Sequence, residues 1–455
     1  MGKRKVIIIG AGLTGLTTAT ALARAGHEPV VLELGDRPGG VIRSERVNGF
    51  LCEDGPNSMM LKSRAAEDFL RSVDLEGEIV EANREARRRY LVRNGKVLSL
   101  PMSPVEALRT PLYSLGAKLG VLKEPFTGPA EPGVEDSVAS FVTRRLGREF
   151  LDYGIAALVS GIFAGDPERL SMRYAFPKVW QLEDRYGSLI GGAVKMRRER
   201  KASGEIPYRG KVIAFREGLE MLPSRLSGLL GDRVRLNAAT TAIEKTGAGW
   251  RVAWTEPDGP RETEADALVC TAPTFAWPDL PWPEPLAADL AGVPSPDYPP
   301  VATLMLGYRR NQIRHPLDGF GMLIPLVEKR RILGVIFSST LFPGRAPDGC
   351  ATLMVFIGGA TAPQRASQDE AGRYADAVAE LGDLLGITGE PMMVRHTLWP
   401  RAIPQYRVGY GNFYAAMAAV EERWPGLTLQ GNFRDGPGVS DCITNSLETA
   451  GRLGA

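Results

Sequence analysis

The residues whose spacing implies chemistry lie in the first sixty positions. Gly10-Ala11-Gly12-Leu13-Thr14-Gly15 follows the apolar run VIII directly, and Glu33 comes at the end of a second apolar run, PVVLEL. A strand running into a tight turn needs Gly10. Gly12 lets backbone approach a pyrophosphate, and Gly15 lets the following helix pack closely on the strand. That helix, TGLTTATALARAG, would aim its free N–H groups and positive dipole end at phosphates. Glu33 stands 18 residues past Gly15, close to the spacing that sets a carboxylate on adenosine ribose hydroxyls. A purely structural glycine turn is the alternative. A strand before it, a helix after it and an acid at the end of the next strand favour a dinucleotide instead. The run continues through Gly39-Gly40-Val41, Arg43 and Gly55-Pro56-Asn57-Ser58.

The elements that must hold these residues are legible in outline. Strand, helix, strand and loop fill the first 60 residues, and a helix follows around Ser63 to Leu75. Arg89 to Val92 and Val97 to Leu100, with Gly95 between, read as a hairpin. Pro104 to about Leu189 is mostly helical, with breaks expected at Pro111, Gly116, Pro125 and Pro132. Strands are expected near Val234, at Trp250 to Trp254 and at Ala265 to Thr271, and a Pro- and Trp-rich stretch then marks a domain boundary. Four apolar runs between 300 and 360 suggest a sheet forming one wall of a pocket, and a helix follows over 368–386. The tail gives a strand, LTLQGNF, a turn at Gly436-Pro437-Gly438-Val439, and a last helix with Ser440-Asp441 at its cap. A helix N-terminus there would stabilise negative charge on a bound group.

The expected fold class is therefore α/β and α+β, in several domains. A Rossmann-like nucleotide domain is assembled from 1–75, 205–273 and 424–455. A mixed or antiparallel-sheet substrate domain takes 76–95 and 274–423, and a mostly helical domain takes 96–204. With 55 basic against 53 acidic residues, a general nucleic-acid binder is excluded. Cys52, Cys270, Cys350 and Cys442 are far apart, which argues for a reducing compartment and against a zinc ribbon. The three histidines lack ligand spacing, so no metal is expected. Lys3-Arg4-Lys5 ahead of an apolar stretch mimics a signal peptide, but cleavage would discard the nucleotide loop. No run approaches 18 continuous apolar residues. PVEALRTPLYSLGAKLGVLKEPF mixes basic and apolar residues in the manner of a segment lying on a membrane surface, or of one packing on a neighbour.

The glycine pair after Glu33, followed by Arg43, resembles the large glutathione-reductase-like flavoproteins and points to FAD. More specifically, the chain resembles the protoporphyrinogen oxidase family within the amine-oxidase-like flavoproteins, a family that includes bacterial coproporphyrinogen oxidases. The resemblance runs nearly end to end. It is carried by GPNSM (55–59), RRYLVRNGKVLSLP (88–101), SGIFAGDPERLSMRYAFP (160–177), YGSLIGG (186–192), FREGLEMLP (215–223), IFSSTLFPGRAP (336–347), AIPQY (402–406) and GVSDC (438–442).

The resemblance implies oxidation of a porphyrinogen, protoporphyrinogen IX or coproporphyrinogen III, to the porphyrin in haem biosynthesis. Hydride from a methylene bridge would go to flavin N5, with molecular oxygen as acceptor and peroxide as by-product. No catalytic acid or base is required, and none stands out. By resemblance, Arg89 meets a propionate, where a guanidinium's forked donors suit a carboxylate. Leu323 and Phe337 sandwich the rings, Asn57 lines the site, and the backbone near Gly161 faces pyrrole N–H groups. Val41, Thr240 and Trp399 join the cofactor residues. Pro437 supplies no N–H, so donors there must come from Gly438 or Val439. Cys442 reads as a small core thiol rather than a tether for the flavin. The implied setting is cytoplasmic, with peripheral contact at the inner membrane face. The chain would act as a monomer or homodimer beside a downstream haem-pathway enzyme. Two alternatives stay open. One is an amine or polyamine oxidase, with Tyr406, Tyr410 and Phe413 as its aromatic cage. The other is a non-catalytic FAD-bound scaffold.

Overall fold

The computed structural model describes residues 2–454 except 129, 132 and 205–207, together with all side chains in its helices and strands but that of Pro104. The expected break at Pro132 and the expected boundary at 205 lie outside the described residues. In chain order, the strands of the two largest sheets are β1 (Lys5–Ile9), β2 (Glu28–Leu32), β3 (Arg88–Arg93), β4 (Lys96–Ser99), β5 (Val234–Arg235), β6 (Ala267–Cys270), β7 (Val301–Arg309), β8 (Gly319–Leu323), β9 (Gly334–Phe337), β10 (Cys350–Gly358), β11 (Met393–Trp399) and β12 (Leu427–Leu429). Four helices frame the site: α1 (Leu13–Arg24), α2 (Ala156–Phe163), α3 (Glu370–Leu385) and α4 (Val439–Gly454).

The first sheet runs β5-β2-β1-β6-β12, with every pair parallel. A parallel sheet buried on both faces explains why β1 and β6 read as unbroken apolar runs. Val6 and Ile8 face a core shared with Leu16, Leu22 and Ile443, while Ile7 and Ile9 face another that holds Leu268 and Trp277. Head, middle and tail of the chain all contribute strands. The tail is fixed to the head by Ser446, whose Oγ donates to the Thr14 carbonyl at 3.1 Å.

The second sheet runs β11-β7-β10-β9-β8-β3-β4 and is mixed, with only β8 and β3 parallel. One face packs Tyr90, Met322, Val335, Phe337 and Leu353 beneath α3 through Leu381 and Leu385. Register puts Arg89, Leu91, Leu323, Ile336 and Phe356 on the other face. Thr303, Arg395, Thr397 and Trp399 continue that face on β7 and β11.

The four runs between 300 and 360 form strands, as expected. Two further strands carry no clean hydrophobic run. Gly259–Ala265 is mostly exposed and charged, and β11 turns Arg395 and Thr397 inward. Residues 104–203 form a series of helices. Ser103, Ser114, Ser137 and Ser188 cap four of them, each side chain accepting the N–H three residues on. Gly116 lies inside one of these helices (Leu115–Gly120) rather than breaking it. The GSLIGG run is the start of Leu189–Ser203. There the buried Glu124 carboxylate accepts the N–H groups of Leu189 at 2.7 Å and Ile190 at 3.0 Å, and Arg145 pairs with it at 3.2 Å.

Candidate functional site

The end of β1 gives the first part of the site. Gly10 has φ +104°, a conformation that side chains rarely adopt. A Cβ on Gly15 would fall 2.0 Å from the Gly10 carbonyl, so α1 approaches the strand as closely as glycine allows. A Cβ on Gly12 would meet nothing within 4 Å. Gly12 caps α1 with no side-chain partner and no acid in the first turn, which leaves the helix's first N–H groups to an outside acceptor. The second glycine pair closes on the same place. Gly39 donates to the Ala11 carbonyl at 2.8 Å, Gly39 bridges Gly12, and a Cβ on Gly40 would lie 3.5 Å from the Gly12 Cα.

Glu33 is half-buried, and its carboxylate accepts from Ala11 N at 2.7 Å and Gly35 N at 2.9 Å. It braces the loop through these two bonds. Thr240 lies on the strand Ala239–Lys245, just past Ala238, whose N–H donates to the Glu33 carbonyl at 2.8 Å.

Asp54 organises the next part. Arg395 donates to it with both ends of its fork at 2.6 and 2.8 Å, Thr397 Oγ1 donates at 3.1 Å, and Trp399 Nε1 donates to its carbonyl at 2.9 Å. Arg43, itself exposed, approaches within 3.7 Å. Burial acts to raise the Asp54 pKa. Arg395, Thr397 and Arg43 outweigh it and hold the carboxyl below the usual carboxylate range. Gly55-Pro56-Asn57 leaves this clamp against Val41, whose carbonyl would sit 2.2 Å from a Cβ on Gly55. Asn57 is buried. Its Nδ2 donates to Ser338 Oγ at 3.0 Å, and its Oδ1 has no partner among the described residues.

The tail turn meets the same place. Lys62 pairs with Asp441 at 2.8 Å, and a Cβ on Gly438 would lie 2.6 Å from that carboxylate. The helix begins at Val439, so Ser440 and Asp441 occupy its first turn rather than its cap. Burial pushes the Cys442 thiol up to about 11, as fits a core cysteine. The glycines at 10–15, Gly39 to Arg43, Gly55 to Ser58, Trp399 and Pro437 to Val439 thus lie along one connected set of contacts. The open space at Gly12, the uncapped α1 and the orphaned Asn57 Oδ1 fit a bound dinucleotide flavin.

The expected substrate residues divide. Gly161, near the end of α2, packs on Leu323, whose Cδ2 would lie 2.6 Å from an added Cβ. The helix ends two residues later, so the Gly161 carbonyl is among those that the helical ladder leaves unpaired. Arg89 pairs in register with Gly321, two residues from Leu323 on the adjacent strand, and lies 5.3 Å over the Phe320 ring. Phe337 is not brought to this place. It is fully buried on the opposite face beside Tyr90 and His315, because strand alternation turns Ile336, not Phe337, toward Leu323. Ile336 and Phe356 share the Leu323 face and are only part-buried, and sequence reasoning missed both. β9 and β10 are apolar nearly throughout, so their sequence does not tell one face from the other.

The aromatic cage does not form. Tyr406, Tyr410 and Phe413 are buried, and both hydroxyls are bound to backbone, Tyr406 to Asn432 O at 2.7 Å and Tyr410 to Phe433 O at 2.8 Å. Among the described residues, no group of His, Cys, Asp and Glu could hold a metal.

Comparison with known proteins agrees in direction. Residues 13–453 match the family model described as flavin containing amine oxidoreductase. Protoporphyrinogen oxidase 1, chloroplastic, of Arabidopsis thaliana is 35% identical over 473 residues, covering 98% of this chain and 87% of that protein. Coproporphyrinogen III oxidase of Bacillus subtilis (strain 168) is 27% identical over 462 residues, covering 97% of this chain and 96% of that protein. A crystal structure from Exiguobacterium sp. 255-15, solved as a candidate protoporphyrinogen oxidase, superposes with a TM-score of 0.80 at 23% identity. It covers 100% of this chain and 99% of that one, and shows the shared fold.

Proposed function

Because the chain belongs to the flavin containing amine oxidoreductase family, we propose from its site and its full-length relatives that it is an FAD-dependent porphyrinogen oxidase of haem biosynthesis. The observation that carries the reading is one sheet face. Leu323, Ile336 and Phe356 line it, Gly161 packs against it, and Arg89 stands at its edge with no ion-pair partner among the described residues. A flat apolar macrocycle with carboxylates at its rim needs apolar walls and one unpaired guanidinium.

The glycine loops, Glu33, Arg43, Asn57 and the turn at Pro437-Gly438-Val439 would hold FAD. When bound, FAD supplies the redox chemistry, taking hydride from a methylene bridge and passing the electrons to oxygen as peroxide. The chain's own residues orient and enclose. Arg89 binds a propionate, which fixes the macrocycle's rotation. Leu323 and Ile336 hold its plane and keep water off the reacting carbon. The unpaired Gly161 carbonyl accepts from pyrrole N–H groups, and Asn57 Oδ1 supplies a further acceptor.

The helical region supports a finer placement. Leu108, Leu115, Leu119, Leu122 and Phe126 are all more than half exposed, and Phe126 reaches 89%. Lys118 and Lys123 lie among them. Among the described residues, no helix is long and apolar enough to cross a membrane. We place this surface in peripheral contact with the cytoplasmic side of a membrane.

The test is anaerobic flavin bleaching by protoporphyrinogen IX, coproporphyrinogen III and amines, followed by aerobic fluorescence turnover. Bleaching by a porphyrinogen and not by amines is expected. Bleaching by amines alone overturns the reading, and bleaching by neither leaves the FAD-bound scaffold.

A further inference from the structure

The segment Ala402-Ile403-Pro404-Gln405-Tyr406 runs between the nucleotide loops and the apolar face, where Ala402 and Ile403 share a cluster with Phe356, and it touches the frame of each. Gln405 is buried. Its Nε2 donates to the Phe163 carbonyl at 2.8 Å and to the Ile403 carbonyl at 3.0 Å. Phe163 ends α2, the helix that brings Gly161 against Leu323. The next residue points the other way. The Tyr406 hydroxyl donates to Asn432 O at 2.7 Å and accepts from Gly436 N at 3.0 Å, spanning the loop that enters the Pro437-Gly438-Val439 turn. Tyr410, stacked 4.5 Å away, repeats the contact at Phe433 O. The backbone between them is held as well. Gln405 N donates to Asp297 O at 2.9 Å, and the Tyr406 carbonyl accepts from Ser171 N at 2.8 Å.

We propose that Gln405 and Tyr406 are a positioning pair: one short peptide that sets the spacing between the wall at Gly161 and the cofactor turn at Gly436 to Val439. The proposal rests on the reading of those two places as substrate wall and flavin turn. Neither side chain need touch substrate or cofactor. The pair acts because adjacent residues of a pinned peptide cannot move independently, so a change at one end is felt at the other. Burial holds the Tyr406 phenol pKa well above its ordinary value, so the hydroxyl remains a donor across the working pH range.

The experiment uses the purified holoenzyme and the variants Tyr406→Phe, Gln405→Met and both together. Three things are read: the visible flavin absorption bands, the midpoint potential, and the affinity for coproporphyrin III by fluorescence titration. Each single variant should weaken porphyrin binding about five- to tenfold, the weight of one buried hydrogen bond. Each should also shift the flavin bands, although the Gln405 side chain donates to Phe163 and Ile403 and to no residue of the cofactor turn among the described residues. The double variant should be no worse than the poorer single one, as for residues acting through one element. Unchanged bands and potential in Gln405→Met, or additive losses, overturn the proposal. If Gln405→Met does not fold, Gln405→Asn, too short to reach the carbonyl, serves the same purpose. A wild-type protein that binds no porphyrin and oxidises no porphyrinogen would refute the functional reading, and the flavin bands would still decide the pair.

Discussion

Arg88 and Arg89 are neighbours in sequence with opposite commitments. Arg88 is paired with Asp318 at 2.6 Å, and Asp318 also accepts from the Tyr90 hydroxyl. Arg89 lies over Phe320 with no carboxylate partner among the described residues. Adjacent residues of a strand point to opposite faces, which separates the two guanidinium groups. Arg89→Ala should therefore raise KM for a porphyrinogen about ten- to a hundredfold, as for a lost charge-assisted bond. Flavin content should not change. Arg88→Ala should leave KM within about twofold, because an exposed pair contributes little. Loss of flavin from Arg89→Ala would show that Arg89 serves the cofactor instead.

Ile336 and Phe337 separate face from core. Ile336→Ala should raise KM and leave the melting temperature close to wild type. Phe337→Ala should cost about 3–5 kcal/mol of stability through the cavity it leaves. The surviving Phe337→Ala enzyme should keep its KM. Steady-state kinetics beside thermal melts checks both, and an exchange of the two phenotypes would reverse the assignment of the faces.

Arg395 and Asp54 should matter more for retaining the flavin than for turnover. Arg395→Met strands the Asp54 carboxylate in a largely buried place, at a cost of about 3 kcal/mol. It also loosens the strand that leads to Gly55 and Asn57. FAD should dialyse out of this variant faster than from the wild type. Arg395→Lys should recover only part of the difference, since lysine lacks the fork that fits both carboxylate oxygens. Equal flavin retention in all three proteins would mean that Asp54 does not brace the cofactor loop.

Acid should loosen the helical region first. Burial acts to raise the pKa of Glu124. The N–H groups of Leu189 and Ile190, the Ser188 hydroxyl and Arg145 outweigh it and hold the group below its ordinary 4.5. A carboxylate with a depressed folded pKa contributes stability above its unfolded value, and that stability fades as pH falls through the lower folded value. Melting temperature should thus drop as the pH falls below 4.5. Glu124→Gln should start lower at neutral pH and show a shallower fall. A variant as pH-sensitive as the wild type would place the acid lability elsewhere.

The legible parts of this protein are those where one residue type answers one local demand. Gly10 and Gly15 could be read because a positive φ and a carbonyl 2.0 Å from a would-be Cβ tolerate little else. The runs at 301–358 could be read because both faces of those strands are largely buried. β11 could not, since its inward side chains are polar and find their reason in Asp54, more than three hundred residues earlier. Phe337 shows the limit of a likeness between chains. The residue type was apt, but one position along a strand exchanges pocket for core. The frame at Gln405 and Tyr406 was hidden for the opposite reason. Both side chains bond to main-chain atoms, which no sequence motif displays.

The parallel sheet has a consequence for the order of events on the ribosome. Its edge strand β12 and the helix that fastens to Thr14 come far later in the chain than the glycine loop, with Ser446 and Thr14 separated by 432 positions. The glycine loop emerges well before them, yet its sheet lacks the edge strand β12, and α1 lacks the helix whose Ser446 bonds Thr14, until those residues have been made. Domains that fold as they emerge cannot include this one. The nascent protein must carry its glycine loop unclosed until those residues emerge, so a ribosome stalled before Leu427 would hold a chain whose FAD site is incomplete.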